Sequence, residues 1–250
     1  MADVRVCADV NDLACRAAEA SAAIIKAAVQ ATGRCSIALS GGHTPRGLYM
    51  RWASHFADEI PWRDVHVFWG DERFVPPDDP RSNYRMAKEA LLDRVPFPAA
   101  NIHPTPTSMG TPEIAAEAYE TEIRQHFHGD RPRFDLLLLG LGAEGHTASL
   151  FPESPALDEA TRWVLPVTVP ADPPSRLTLT LRAFNDAAYT YFLVAGSDKA
   201  GALNHILSGT TDVRTYPAAG IRPAGTLIWW VDREAAALYR SGAKHGESRI

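Results

Sequence analysis

The sequence predicts an α/β protein built on an open, mostly parallel sheet with helices on both faces and a small insertion at one edge. Three features carry that expectation. Apolar runs, 35-CSIAL-39, 65-VHVFW-69, 134-FDLLLLG-140, 188-AYTYFLVAG-196 and 226-TLIWWV-231, alternate with helical segments, which is the rhythm of βαβ units. The runs are almost continuously apolar, as strands covered on both faces must be. Glycine-bearing polar turns follow the carboxyl ends of four of them, the edge at which open parallel sheets bind ligands.

The elements follow in order. Residues 11–33 are Ala-rich with apolar residues at helical spacing; Asn11 or Asp12 can cap this helix and Gly33 can end it. After the strand 35–39 comes Ser40-Gly41-Gly42, then a helix over 44–56 with Thr44 as cap and Pro45 at its first position. The strand 65–69 is closed by 70-GDERFVPPDDPRSNY-84, and a helix is expected over Ser82 to Val95. Another helix, Pro112 to Phe127, leads into the strand 134–140. The segment 162-RWVLPVTVPADPPSRLTLTL-181 holds two strand-like runs and four prolines, so it reads as the edge hairpin. The strand 188–196 precedes a helix over 198–209, and the strand 226–231 precedes a short helix from Asp232.

Composition narrows the function. Of 250 residues, 46% are hydrophobic and 22% charged, with a net charge of −5. A sizeable core is therefore expected, and nucleic acid or an anionic membrane is not an expected partner. Cys7, Cys15 and Cys35 show no C-x-x-C spacing and suit reduced thiols better than a disulfide frame or a zinc site. No charged-then-apolar leader is read at the N-terminus, and no apolar run approaches a membrane span. One cytoplasmic domain over residues 1–250 is expected, as a monomer or a weak dimer.

The stretch 140-GLGAEGH-146 spells G-x-G-x-x-G after a buried strand, the spacing of a dinucleotide loop. Such a loop needs a long helix opening at its third glycine, so that amides face the pyrophosphate. Pro152 and Pro155 follow too closely for that. The glycines instead let the backbone turn sharply and hold His146 over the sheet edge. His126 and His128, two residues apart in 125-QHFHGD-130, read as a surface helix end and not as a metal site.

Taken together, 39-LSGGHTPRGLY-49, 69-WGDERFVPPDDPRSNYRM-86, 134-FDLLLLGLGAEGHTASLFP-152 and 196-GSDKA-200 resemble the 6-phosphogluconolactonase family in sequence order along nearly the whole chain. The resemblance implies hydrolysis of 6-phosphoglucono-1,5-lactone and a fold shared with glucosamine-6-phosphate deaminase and ribose-5-phosphate isomerase. Two positions depart from the family pattern: Glu144 replaces an Asp, and His43 replaces the Ser of S-G-G-S-T-P. Deamination on the same fold is disfavoured by the continuation 145-GHTASLFP-152, where the deaminase pattern carries a further acid. A silent sugar-phosphate sensor would usually bring a DNA-binding helix pair, for which no residues remain.

Opening a lactone needs activated water, a stabilised oxyanion and a proton for the departing ring oxygen. There is no G-x-S-x-G elbow and no H-E-x-x-H pair, so direct water attack is expected, with neither metal nor cofactor. His146 is the expected base and then acid. Asp71 is expected to orient it or the substrate, and Arg73 to offer a fork of donors to an oxyanion or phosphate. The bland reading of 71-DER-73 is a surface ion-pair cluster. For the phosphate, the backbone at Ser40, Gly41 and Gly42 and the helix opening at Thr44 supply amides. The resemblance adds Lys199 and Arg176 as cationic anchors. The expected partner is a small sugar-phosphate lactone.

Overall fold

Four consecutive leucines, 136–139, leave no polar face, and in the structure they need none. Leu136 and Leu138 enter one hydrophobic core, while Leu137 and Leu139 enter another on the opposite face of the sheet. Strand side chains alternate with period two, so a strand with a core on each side must be apolar throughout. The same division splits Trp230 from Trp229 and Tyr191 from Phe192.

The computed structural model describes residues 2–129, 131–209 and 211–239. Its strands are β1 Asp3–Cys7, β2 Cys35–Leu39, β3 Val65–Trp69, β4 Asp71–Arg73, β5 Leu136–Leu139, β6 Val164–Thr168, β7 Ser175–Leu179, β8 Tyr189–Val194 and β9 Thr226–Asp232. Its helices are α1 Val10–Thr32, α2 His43–His55, α3 Asn83–Ala87, α4 Pro112–Phe127, α5 Leu181–Phe184 and α6 Ala200–Leu207. Six strands form one sheet in the order β1-β9-β8-β5-β2-β3, and every pairing in it is parallel. Helices α1 and α2 pack on one face, α4 and α6 on the other.

The expected edge hairpin is real: β6 and β7 pair antiparallel. It is joined by β4, which forms within the polar segment expected to be a loop, to make a separate sheet in the order β4-β7-β6. Gly70 links the two sheets. Its N–H donates to Leu39 O at 2.9 Å, and its carbonyl accepts from Leu179 N–H at 2.8 Å.

Element ends differ from expectation for local reasons. Helix α1 is capped by Asp9, not Asn11 or Asp12. The Asp9 carboxylate accepts from both of those amides at 2.8 and 2.9 Å, while the Asp12 carboxylate reaches back to Ala8 N–H, a reciprocal cap. Gly33 ends the helix with φ 81°. Helix α2 begins at His43 with Gly42 as cap; the glycine turn delivers the chain into the helix early, so Thr44 is a helical residue and caps nothing. The helix expected over 82–95 is α3, continued by a π turn over Lys88–Leu92. Among the described residues no helix follows β9. Asp232 instead accepts from Ala235 N–H and from Gly196 N–H, tying this strand end to the loop after β8. Strand β1 escaped the reading because it is short and largely open to solvent at the sheet edge. Among the described residues no helix is long and apolar enough to cross a membrane.

Candidate active site

Four adjacent strands, β8, β5, β2 and β3, run parallel, so their carboxyl ends share one edge. The loops leaving that edge converge on a cavity of about 210 Å³. It is lined by Ser40 and Gly41 after β2, by Asp71 and Arg73 of β4, by Gly140, Gly142 and His146 after β5, and by Lys199 after β8; Arg176 of β7 completes it. Gly42 and Thr44 do not line it. His43 is exposed at the start of α2, away from the lining.

Pairing between β4 and β7 composes one wall. Asp71 lies opposite Thr178 and Arg73 opposite Arg176, and residues two apart share a face. Asp71 is almost fully buried. Its Oδ2 accepts from Ser149 Oγ at 2.6 Å, and its main-chain carbonyl accepts from Asn83 Nδ2 at 3.0 Å. The intervening Glu72 points the other way and is itself buried. Its carboxylate accepts from the amides of Arg73, Asn83 and Tyr84 at 2.7 to 2.8 Å and from Ser82 Oγ at 3.0 Å. Burial pushes this carboxyl up to about 7, against the pull of those donors. Residues 71–73 are therefore not a surface ion-pair cluster. Glu72 is the clasp that folds the 74–82 loop back onto β4.

The two arginines face each other across the ladder, an arrangement of like charges that costs free energy unless an anion sits between or beside them. Arg176 is only 6% exposed; its Nε donates to Pro173 O at 3.0 Å. Burial lowers its pKa, with Asp71 opposing. Arg73 donates from Nη1 to Arg81 O at 2.6 Å, while its Nε is buried without a partner. Among the described residues neither guanidinium has a carboxylate within ion-pair distance. Lys199 is ion-paired with Asp198 at 2.9 Å and adds a third cation to the lining.

The glycines of 140-GLGAEGH-146 serve the histidine. No helix follows Gly145; the chain makes turns and a small bridge between Thr147 and Leu150. A Cβ on Gly142 would fall inside the imidazole of His146, nearest its Nδ1. Gly145 adopts φ +88° with Tyr216 packed against it, a conformation and a closeness that exclude a side chain. The loop closes on itself through Gly142 N–H to His146 O at 2.8 Å. Thr147 Oγ1 donates back to Gly140 O at 2.9 Å.

His146 stacks on Phe151 with ring centroids 4.0 Å apart. Its Nδ1 lies 2.9 Å from Glu144 Oε1, yet the ring N–H is not aligned for a hydrogen bond, so the contact becomes an ionic one only when the ring is protonated. Burial pulls the imidazole below its ordinary range, outweighing the opposite pull of Glu144 and Asp71. For Glu144, burial raises the carboxyl, but its own amide and His146 bring it below the usual value. The imidazole is therefore neutral at neutral pH and able to accept a proton.

Of the expected site residues, His146, Asp71, Arg73, Arg176, Lys199, Ser40 and Gly41 meet in one cavity. Asn83 and Ser149 were not named from the sequence, although both lie inside the quoted motifs. Asn83 follows the cap Ser82 at the start of α3, and Ser149 sits three residues past the histidine. Their polarity next to turn residues was the available signal; their convergence on Asp71 depends on contacts 12 and 78 residues apart. His126 is not at a free surface. It is half-buried, with its ring against Phe68, His66 and His103.

The family model described as glucosamine-6-phosphate isomerases/6-phosphogluconolactonase matches residues 8–230, and the chain belongs to that family. A 6-phosphogluconolactonase of Synechocystis is 47% identical over 84% of this chain and 87% of its own length. One from Nostoc is 40% identical over 94% and 97%. Among solved structures, a 6-phosphogluconolactonase from Trypanosoma brucei superposes with a TM-score of 0.85 at 31% identity, covering 96% of this chain and 99% of that one. The fold also matches a monomeric glucosamine-6-phosphate deaminase, with a TM-score of 0.77 at 21% identity.

Two outcomes test this geometry directly. Gly142→Ala is expected to destabilise the protein by about 1–3 kcal/mol in urea unfolding and to shift the His146 ring resonances as the imidazole leaves its stack. Glu144→Gln removes a charge that favours imidazolium, so the NMR titration of His146 is expected to move to still lower pH; an unchanged titration would mean the ionic approach is inert.

Proposed function

We propose that this chain hydrolyses 6-phosphoglucono-1,5-lactone to 6-phosphogluconate by direct attack of water, with His146 as general base and then general acid. The activity, a lactone hydrolysis in the pentose phosphate pathway, follows from the family and from relatives at 40 and 47% identity. The observation that carries the mechanism is a half-buried His146, lowered in pKa by burial, at a cavity lined by three cations, with no serine or cysteine hydrogen-bonded to its ring among the described residues.

In this scheme His146 takes a proton from water as it adds to the lactone carbonyl carbon. The resulting imidazolium gains from the charges of Glu144 and Asp71. It then protonates the ring oxygen as the C–O bond breaks, which regenerates the neutral base. Arg73, with its unpartnered Nε, is assigned to the oxyanion. Arg176 and Lys199, with the amides after β2, are assigned to the phosphate. Asp71, fixed by Ser149 and Asn83, positions the imidazole and substrate hydroxyls. We read the working unit as a monomer, and three cysteines without C-x-x-C spacing suit a cytoplasmic setting.

The decisive assay uses freshly generated 6-phosphogluconolactone in weak buffer with chelator, with spontaneous hydrolysis subtracted. His146→Asn is expected to lower kcat by about 100- to 10,000-fold; retention of wild-type turnover would remove His146 from the chemistry. Wild-type kcat/KM should fall only on the acid side, at a pH below the ordinary imidazole range, because the base is lost when His146 protonates. Arg176→Gln is expected to raise KM about 10- to 100-fold, one charge-assisted contact, with a smaller effect on kcat.

A further inference from the structure

On the face of the main sheet covered by α4, away from the cavity, three imidazoles meet. His66 is the second residue of β3, His103 follows a 3-10 turn over Ala99–Asn101, and His126 lies in the last turn of α4. Each offers a ring nitrogen, and these atoms all lie within 4.8 Å of one another. We propose that His66, His103 and His126 form a structural site for one divalent transition-metal ion, zinc above all, that pins α4 and the 99–103 segment to the edge strand β3.

The geometry suits the ion. In a tetrahedral site with metal–nitrogen bonds near 2.0–2.1 Å, ligand atoms stand roughly 3.3 Å apart. His66 Nδ1 and His103 Nε2 stand 3.1 Å apart, hydrogen-bonded to each other, and an ion would take the place of the shared proton. The other nitrogen of His103, Nδ1, lies 2.7 Å from Glu122 Oε1. That is the carboxylate–histidine arrangement that orients metal-bound imidazoles and raises their basicity, and it leaves Nε2 as the ligand atom. His126 is held by Ser36 Oγ at 2.7 Å from its Nε2. His103 is also fixed through its backbone, its N–H donating to Val67 O at 2.9 Å, and by stacking on Phe68 at 4.3 Å.

The environment supplies what binding requires. Metal-bound histidine must be neutral, and all three rings are partly buried, which disfavours the imidazolium form. Arg34, near His66 and His126, and the exposed His128 oppose a cation; Asp64 and Glu122 favour one. Access is open on the side of Glu122, whose side chain is 41% exposed. A fourth position is left to water. His66 is three residues from the carboxyl end of β3, roughly 10 Å along the strand, so this ion is outside the reaction.

The test uses the full chain stripped with EDTA and dialysed. Cobalt(II), followed by its visible absorption, and zinc, followed by calorimetry, are titrated into wild type, His66→Gln, His126→Gln, Glu122→Gln and His146→Asn. One equivalent is expected to bind to wild type and to His146→Asn. Binding should be lost in the His66 and His126 variants and weakened about 10- to 100-fold in Glu122→Gln, a substitution at a half-exposed position that leaves the rings in place. Zinc at a hundredfold excess over its dissociation constant should raise Tm by about 5–10 °C without changing lactone turnover. Absence of binding by wild type, retention of the equivalent in both histidine variants, or its loss in His146→Asn would each overturn the proposal.

Discussion

The in-register parallel pairing of β8, β5, β2 and β3 is the constraint on which the rest depends. Parallel strands cannot be joined by tight turns, so each connection must cross a face of the sheet, and each crossing brings a cover of helices. That two-sided cover demands strands apolar on both faces, which is why Leu136 to Leu139 tolerate no polar residue. It also puts four strand ends at one edge. The candidate site lies at that edge, lined by its loops and by the short strands β4 and β7.

The second, antiparallel sheet solves a different problem. Loops alone would leave Asp71, Arg73 and Arg176 poorly fixed. By entering a short ladder with β7, residues 71–73 gain a pleat that points Asp71 and Arg73 into the cavity and Glu72 away from it. Glu72 then gathers three amides across the 74–82 loop, and Asn83 closes back on Asp71. One residue's polarity thus sets the path of the chain, and its two neighbours face the cavity.

Much of this was legible in the sequence, and what was not has physical causes. The strands of the main sheet beyond the edge, the helices α1, α4 and α6 and the edge hairpin follow from apolar periodicity, which is local. The cap of α1 lay at Asp9 because a reciprocal pair with Asp12 outcompetes a single cap, a choice between neighbours that composition does not reveal. Strand β4 was hidden because three polar residues carry no strand pattern; pairing with β7, a hundred residues away, makes it. The site was readable where glycine and histidine share one loop, as in 140–146. It was unreadable at Ser149 and Asn83, whose roles exist only once distant segments meet, and at His126, whose partners sit on β3 and beside it.

The opposed guanidinium groups of Arg73 and Arg176 also have a consequence for the protein's lifetime. They repel each other in a half-dry wall, a repulsion that Asp71 offsets. A sugar phosphate held there, as proposed, would stabilise the native state by mass action, about 2.7 kcal/mol at a hundredfold excess over its dissociation constant. On that reading, resistance to unfolding, and with it to proteolysis, would be coupled to metabolic supply. The chain would then be most durable when its ligand is abundant and most easily cleared when it is scarce.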